Sequence, residues 1–274
     1  MYQLAKYKPK KVRFYLSLES VIYIVVYLAI SFVLMCPSLN DKYIAGDDLF
    51  HHLKWIIEYI SVFGFQNLDP KWMPDLNMGF GSPTFVFYGS FVYQIVSITY
   101  KIVNDIKLSL DIVCIVGLFL SAFFMYFLSH IFFPRRVSFY IGLFYLLFPY
   151  HIVDLFLRFA IAEFWSFCFL PLIIFSVIKY YKTHNKIYLL MFNIAYILLV
   201  KTHILVSFLF SLFLAFGLLF FLKNVDKKIL KLHMNFLITF VLSLGVLAHY
   251  IIPVSYTHLR AHETSLHLVC RLLL

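Results

Sequence analysis

Residues 16–35 read LSLESVIYIVVYLAISFVLM, and this stretch decides the class of fold. A bilayer core about 30 Å thick needs about 20 mainly apolar residues in helical form to cross it. Five basic residues precede the stretch: Lys6, Lys8, Lys10, Lys11 and Arg13. Because Lys and Arg accumulate on the cytoplasmic side of spanning helices, we expect a membrane anchor with its N-terminus in the cytoplasm.

The composition extends this interpretation to the whole chain. Of 274 residues, 63% are hydrophobic and 13% are charged, with a mean hydropathy of +0.89. Further apolar runs cover residues 84–100, 109–133, 137–153, 164–178, 187–202, 205–222 and 232–252. The net charge of +10 resides in short clusters between these runs. Such clusters set membrane topology, so we expect no nucleic-acid partner.

The basic connectors fix which runs cross. The clusters around Arg135, 179–186 and 223–231 should all be cytoplasmic. If residues 84–100 crossed, every one of these clusters would lie outside. We therefore predict that 84–100 is an interfacial or re-entrant helix.

The expected architecture is an all-α, polytopic membrane protein with about seven transmembrane helices and the N-terminus inside. Residues 37–108 form a large first external loop with juxtamembrane helices. The stretch 154–163, the turn at 201–203 and residues 249–253 also lie outside. Residues 1–254 are treated as one membrane module.

Residues 255–274 differ in amino-acid composition from the rest of the chain. They include SYTHLRAHET and LVCRLLL, which resemble a translated sequencing-adapter tail. We expect this tail to be artefactual and residues 1–254 to be the N-terminal transmembrane module of a truncated longer protein. The alternative is a genuine amphipathic tail.

Residues 46–55, GDDLFHHLKW, bring two carboxylates and two imidazoles into a mostly apolar chain. On a helix that starts at Asp47, this residue and His51 are four apart and share a face. The same holds for Asp48 and His52. Such groups beside a lipid interface are able to bind a divalent ion or a substrate hydroxyl. The alternatives are that the aspartates only cap the helix, and that the histidines are ordinary interface residues.

Four segments together carry a family resemblance: GDDLFHHLKWIIEYI (46–60), NMGFGSPTFVFYGSFVY (77–93), YHIVDLFLRFAIAEF (150–164) and KTHIL (201–205). Over roughly residues 15–254 the chain resembles bacterial membrane proteins of the 6-pyruvoyl-tetrahydropterin synthase-related family. It is similar in layout to the GT-C superfamily of integral-membrane glycosyltransferases. Many members of that superfamily have Asp-x-Asp or Asp-Glu after the first helix, where this chain has Asp47-Asp48.

The resemblance implies transfer of a sugar from a polyprenyl-phosphate donor to a cell-envelope acceptor on the external face of the cell membrane. Asp47 and Asp48 are the expected catalytic carboxylates and possible ligands of Mg or Mn, because the acceptor hydroxyl needs a base and the phosphate leaving group needs cations. The expected substrate-binding residues are His51, His52, Arg158, Glu163 and His203. Expected partners are the lipid-linked sugar donor and membrane lipids.

Purely structural roles remain open for several of these residues. Asp154 and Arg158, four apart, are suited to an interfacial salt bridge. His203 is suited to satisfying a backbone carbonyl. At the level of function, the alternative is a non-catalytic transporter, flippase or assembly partner for envelope polymers. A pterin enzyme ranks last, since neither a soluble domain nor a zinc-binding His cluster supports it.

Overall fold

The structure is a computed structural model that describes residues 17–39, 43–220 and 227–256. The described chain is all-helical. In chain order the α-helices are α1 Leu18–Met35, α2 Leu49–Val62, α3 Thr84–Phe87, α4 Phe91–Val103, α5 Ile106–Ser129, α6 Arg135–Leu146, α7 Pro149–Ile152, α8 Ile161–Thr183, α9 Ile187–Thr202, α10 Ile204–Phe220, α11 Lys227–Val246 and α12 Ala248–Tyr256. A π-helix, Val153–Arg158, connects α7 to α8. The basic cluster before residue 16 and the tail beyond residue 256 lie outside the described residues.

Four helical segments are long and apolar enough to cross a membrane: α1, α5, the segment Arg135–Arg158 and α8. A fifth is added if Leu230–Val246 and Ala248–Tyr256, bent by 70°, form one span. The multi-pass membrane class is therefore supported, but the predicted seven crossings are not confirmed. The reason is length, because α9 and α10 have only 16 and 17 residues and fall short of about 20.

Helix α4 has 13 residues and does not qualify as a span among the described helices. It ends at Asn104 in the left-handed conformation (φ 56°), which Asn tolerates better than most residues. Helix α5 then begins with the Asp105 side chain accepting from Leu108 N at 2.7 Å. This capped turn separates α4 from α5, and the prediction that residues 84–100 do not cross stays a prediction.

Helix α5 is central and packs against α1, α4, α6 and α8. At one end of the bundle, Glu19 of α1 lies 3.7 Å from Arg136 of α6, and the Lys182 ammonium lies 5.3 Å from the Phe132 ring. We call this the basic end, since it carries Arg135, Arg136, Lys179, Lys182 and Lys186. The predicted cytoplasmic clusters at 135–136 and 179–186 thus share one end.

The opposite end carries the segments 43–105, 150–163 and 201–203, and we call it the loop end. There the Ser38 hydroxyl donates to Asp111 at 2.7 Å, tying the end of α1 to α5. The Tyr250 hydroxyl donates to the Phe87 carbonyl at 3.2 Å and tethers α12 to the same loop. The loop end is thus built from several distant parts of the chain.

Candidate functional site

The acidic loop before α2 is attached to the end of the π-helix. Asp47 N donates to the Leu157 carbonyl at 3.1 Å, and Asp48 N donates to the Arg158 carbonyl at 2.9 Å. Gly46 permits this approach, because a Cβ there would lie 2.5 Å from the Phe159 Cβ. The two segments that the sequence singled out for chemistry therefore meet.

Arg158 lies among acidic and phenolic groups. Its Nη1 is 2.5 Å from Asp154 Oδ1 and 3.1 Å from Glu163 Oε2, and it donates to the Tyr150 hydroxyl at 3.2 Å. Tyr150 in turn donates to Glu163 Oε1 at 2.7 Å. The salt bridge between Asp154 and Arg158, which was the structural alternative to a binding role, is therefore present, and Glu163 joins it.

The burial of these charges differs sharply. The Asp154 side chain is fully buried, whereas that of Arg158 is 40% exposed. The second carboxylate oxygen of Asp154 has no hydrogen-bond partner within the part of the chain that the structure describes. The Arg158 guanidinium thus contacts one buried carboxylate, Asp154, and one partly exposed carboxylate, Glu163, while 40% of its side chain stays accessible to a ligand.

Asp47 and Asp48 are both exposed and lie in a turn. Helix α2 begins at Leu49, so the prediction of a helix starting at Asp47 is wrong by two residues. Asp48 occupies the N-cap position, but its side chain makes no capping hydrogen bond. Helix capping by the carboxylate, the alternative to a catalytic role, is thus not the role observed for Asp48.

The two histidines of α2 have different environments. His51 is exposed, while His52 is 3% exposed and its Nδ1 lies 2.7 Å from the Tyr93 hydroxyl. Burial lowers the pKa of His52 to about 4, although the charge of Asp48 opposes this effect. His52 is therefore neutral at pH 7 and is held inside the loop, while His51 faces outward.

Tyr88 is a further residue of this region, and nothing in the sequence separated it from an aromatic belt. Burial, and then the negative charge of Asp48, raise its pKa to about 12, and Glu163 acts in the same direction. Its ring centroid is 5.0 Å from that of Trp55. Tyr88 is therefore within the electrostatic influence of both Asp48 and Glu163 and has an aromatic neighbour.

His203 ends α9 and starts α10, and its Nδ1 accepts from Val206 N at 3.2 Å. His203 thus caps a helix. The structural alternative considered from the sequence was a hydrogen bond to a backbone carbonyl. Burial lowers its pKa; Glu163 opposes that change and Arg158 adds to it. His203 consequently belongs to the same electrostatic neighbourhood as Arg158 and Glu163.

Asp69 was not singled out from the sequence, yet it organises the loop. Its carboxylate is 3.0 Å from the Lys201 ammonium and 2.9 Å from that of Lys71, and it accepts from Ser90 at 2.7 Å. Burial would raise the pKa of Asp69, but the hydrogen bonds and the lysine charges bring it below its usual value. Asp69 and Lys201 thereby fasten the loop to α9, next to His203.

Asp47 and Asp48 are the expected ligands of a divalent ion. Mg²⁺ is commonly held by one or two carboxylates together with substrate phosphates and water. Among the described residues, no group of three or more His, Cys, Asp or Glu side chains is arranged to hold a metal ion. Asp47 and Asp48 form an exposed acidic pair, and the metal ion stays a prediction.

None of the protein families, curated proteins or solved structures compared with this chain matches it.

Proposed function

We propose that this chain is a membrane glycosyltransferase that moves a sugar from a polyprenyl-phosphate donor to a cell-envelope acceptor on the external face of the cell membrane. The observation that carries the proposal is the pair of backbone hydrogen bonds from Asp47 and Asp48 to Leu157 and Arg158. They join the backbone of the turn that carries the exposed carboxylates to the end of the π-helix that carries Arg158, at the loop end of the bundle.

The proposed roles follow from exposure and charge. Asp48, with Asp47 beside it, accepts the proton of the attacking acceptor hydroxyl, which requires an accessible carboxylate. Arg158 binds the donor phosphate, since a guanidinium forms planar, charge-assisted hydrogen bonds with phosphate oxygens. Its described polar contacts all use Nη1, so Nε and Nη2 are the donors assigned to the phosphate.

Glu163 and Asp154 affect how strongly Arg158 binds phosphate. With two carboxylates on one guanidinium, the cluster is net acidic, and a phosphate has to compete with Glu163 for Arg158. In the proposed cycle, donor binding shifts Glu163 from Arg158 toward the hydroxyl groups of the sugar. His51, His52 and His203 complete the substrate-binding set: exposed His51 contacts substrate, while buried His52 and His203 position it.

The topology proposed with this function has seven crossings and a cytoplasmic N-terminus. It counts α9 and α10 as crossings despite their length, because a bilayer that thins locally accommodates short helices. The basic end then faces the cytoplasm and the loop end faces outward.

A transport function, the alternative with a flippase or assembly partner, is favoured by one observation. Asp154 is fully buried within the segment Arg135–Arg158 and keeps one oxygen without a partner. Intramembrane carboxylates are typical of ion and substrate pathways. An Asp154→Asn change that abolishes substrate flux in proteoliposomes, without any sugar transfer by the wild type, would establish this alternative.

The test of the enzymatic proposal uses membranes that contain the full-length protein and a panel of polyprenyl-phosphate hexoses labelled in the sugar. Asp48→Asn should lower transfer by about a hundredfold or more, because the amide keeps the shape but cannot take the proton. Lys54→Gln, at an exposed position of the same helix, is the control for expression and insertion. Wild-type activity in Asp47→Asn, Asp48→Asn and the double variant would refute the proposed base.

A further inference from the structure

An apolar groove opens at the basic end of the bundle, far from the acidic loop. It has a volume of about 270 Å³ and lies between α5, α8 and α9. Its lining is aromatic and aliphatic: Phe123, Phe124, Phe127, Leu172, Phe175, Tyr188 and Met191. We propose that this groove binds one acyl chain of an anionic phospholipid, whose headgroup phosphate rests at Lys179 and Lys182.

The groove lies within the depth of one leaflet. Its lining residues on α8 are Leu172 and Phe175, and that helix ends at Thr183. At 1.5 Å per residue, they lie about 16 Å and about 12 Å from the helix end. Half of a hydrocarbon core about 30 Å thick is about 15 Å. The groove thus receives part of the length of an acyl chain of the adjacent leaflet.

Two lysines stand where the phosphate of such a lipid would lie. The Lys179 ammonium is 5.6 Å from the ring centroid of Phe175, which lines the groove. The Lys182 ammonium is 5.3 Å from the ring of Phe132, just beyond the end of α5. Both ammonium groups are thus positioned over aromatic surface at the mouth of the groove.

The charge of the surrounding segments selects an anionic over a zwitterionic headgroup. The sequence of 129–136 and 179–187 contains five basic residues and no Asp or Glu. A lysine near an anionic membrane surface contributes about fivefold in affinity. This proposal is independent of the glycosyltransferase assignment, because the groove and the acidic loop lie at opposite ends of the bundle.

The experiment uses the full-length protein in phosphatidylcholine nanodiscs that contain a phosphatidylglycerol with a diazirine in the middle of one acyl chain. After irradiation, mass spectrometry should locate adducts on the groove segments of α5, α8 and α9. Unlabelled phosphatidylglycerol should compete for these adducts, whereas added phosphatidylcholine should not. Equal competition by both lipids would overturn the headgroup assignment.

Matched variants separate the site from general lipid contact. Lys179→Gln and Lys182→Gln should each lower adduct formation about fivefold, while Arg136→Gln, which removes the same charge from the same end beside Glu19, should leave it unchanged. Leu172→Trp should fill the groove and remove the adducts. Leu190→Trp, at an exposed position of α9, should keep them. Adducts that persist in Leu172→Trp, or that ignore both lysines, would contradict the proposed site.

Discussion

The backbone N–H of Asp48 donates to the carbonyl oxygen of Arg158 with an N–O distance of 2.9 Å. The bond joins the backbone of the turn that carries the Asp48 carboxylate to the residue whose guanidinium contacts Asp154 and Glu163. A change that lifts the loop from the π-helix therefore separates the two charges on which the proposed chemistry depends.

Gly46→Ala tests this attachment through packing. A Cβ at Gly46 would lie 2.5 Å from the Phe159 Cβ and 2.9 Å from its backbone nitrogen, so the loop has to move. We expect a loss of about 2 kcal/mol in unfolding free energy together with a loss of transfer. Gly64→Ala is the control, because a Cβ at Gly64 would have nothing within 4 Å of it. Equal unfolding temperatures of the two variants in detergent would show that the close approach is absent.

The ion pair between Lys201 and Asp69 should stabilise the loop more than that between Lys71 and Asp69. Lys201 joins α9 to the loop with a side chain 20% exposed, whereas Lys71 is 31% exposed and two residues from Asp69. Lys201→Gln should cost about 1–2 kcal/mol, and Lys71→Gln about 0.5 kcal/mol or less. Denaturation of both variants in the same detergent provides the comparison. A larger effect of Lys71→Gln would contradict the proposed fastening of the loop.

Protonation of His52 should make the folded protein less stable in mild acid. Its folded-state pKa is about 4, below the usual histidine value of 6.5, so the unfolded chain binds the proton first. The stability contribution is complete above pH 6.5 and is lost as the pH falls toward 4, by about 3 kcal/mol in total. His52→Gln should flatten this part of the pH profile. Lys54→Gln, at an exposed position of the same helix, is the control and should keep the wild-type slope between pH 6.5 and 4.

Cysteine labelling tests the topology. In a background without native cysteines, an impermeant maleimide should label Asn104→Cys in intact cells. It should label Arg135→Cys only after the membrane is permeabilised, because α5 separates these positions. Labelling of position 135 from outside would show that the proposed topology is wrong.

The sequence predicted most of the helical layout because apolar length and basic connectors are local signals. Residues 16–35 and 109–133 correspond to α1 and α5. That the α4 region does not cross the membrane stays a prediction from the charge of the connectors. The number of crossings was less secure. Apolar runs such as 187–202 and 205–222 show composition, whereas the lengths of α9 and α10 depend on where His203 interrupts them.

The candidate site was predictable in its residue types but not in its contacts. A carboxylate pair in an apolar chain is visible, and so is Arg158 four residues after Asp154. The π-helix geometry, the main-chain bonds of Asp48 and the contact of Asp69 with Lys201 depend on tertiary packing. The sequence contained one indication of the Lys201 contact, since a lysine at the end of an apolar run favours an acidic partner.

Transfer measurements on a double-mutant cycle between Asp48 and Arg158 test most directly the claim that the two residues form one site. The cycle comprises Asp48→Asn, Arg158→Lys and their combination, with labelled polyprenyl-phosphate hexose as donor. If the residues act as a unit, the double variant should lose little more activity than the more impaired single variant. Losses that simply multiply, or an Arg158→Lys variant with wild-type donor use, would contradict the account.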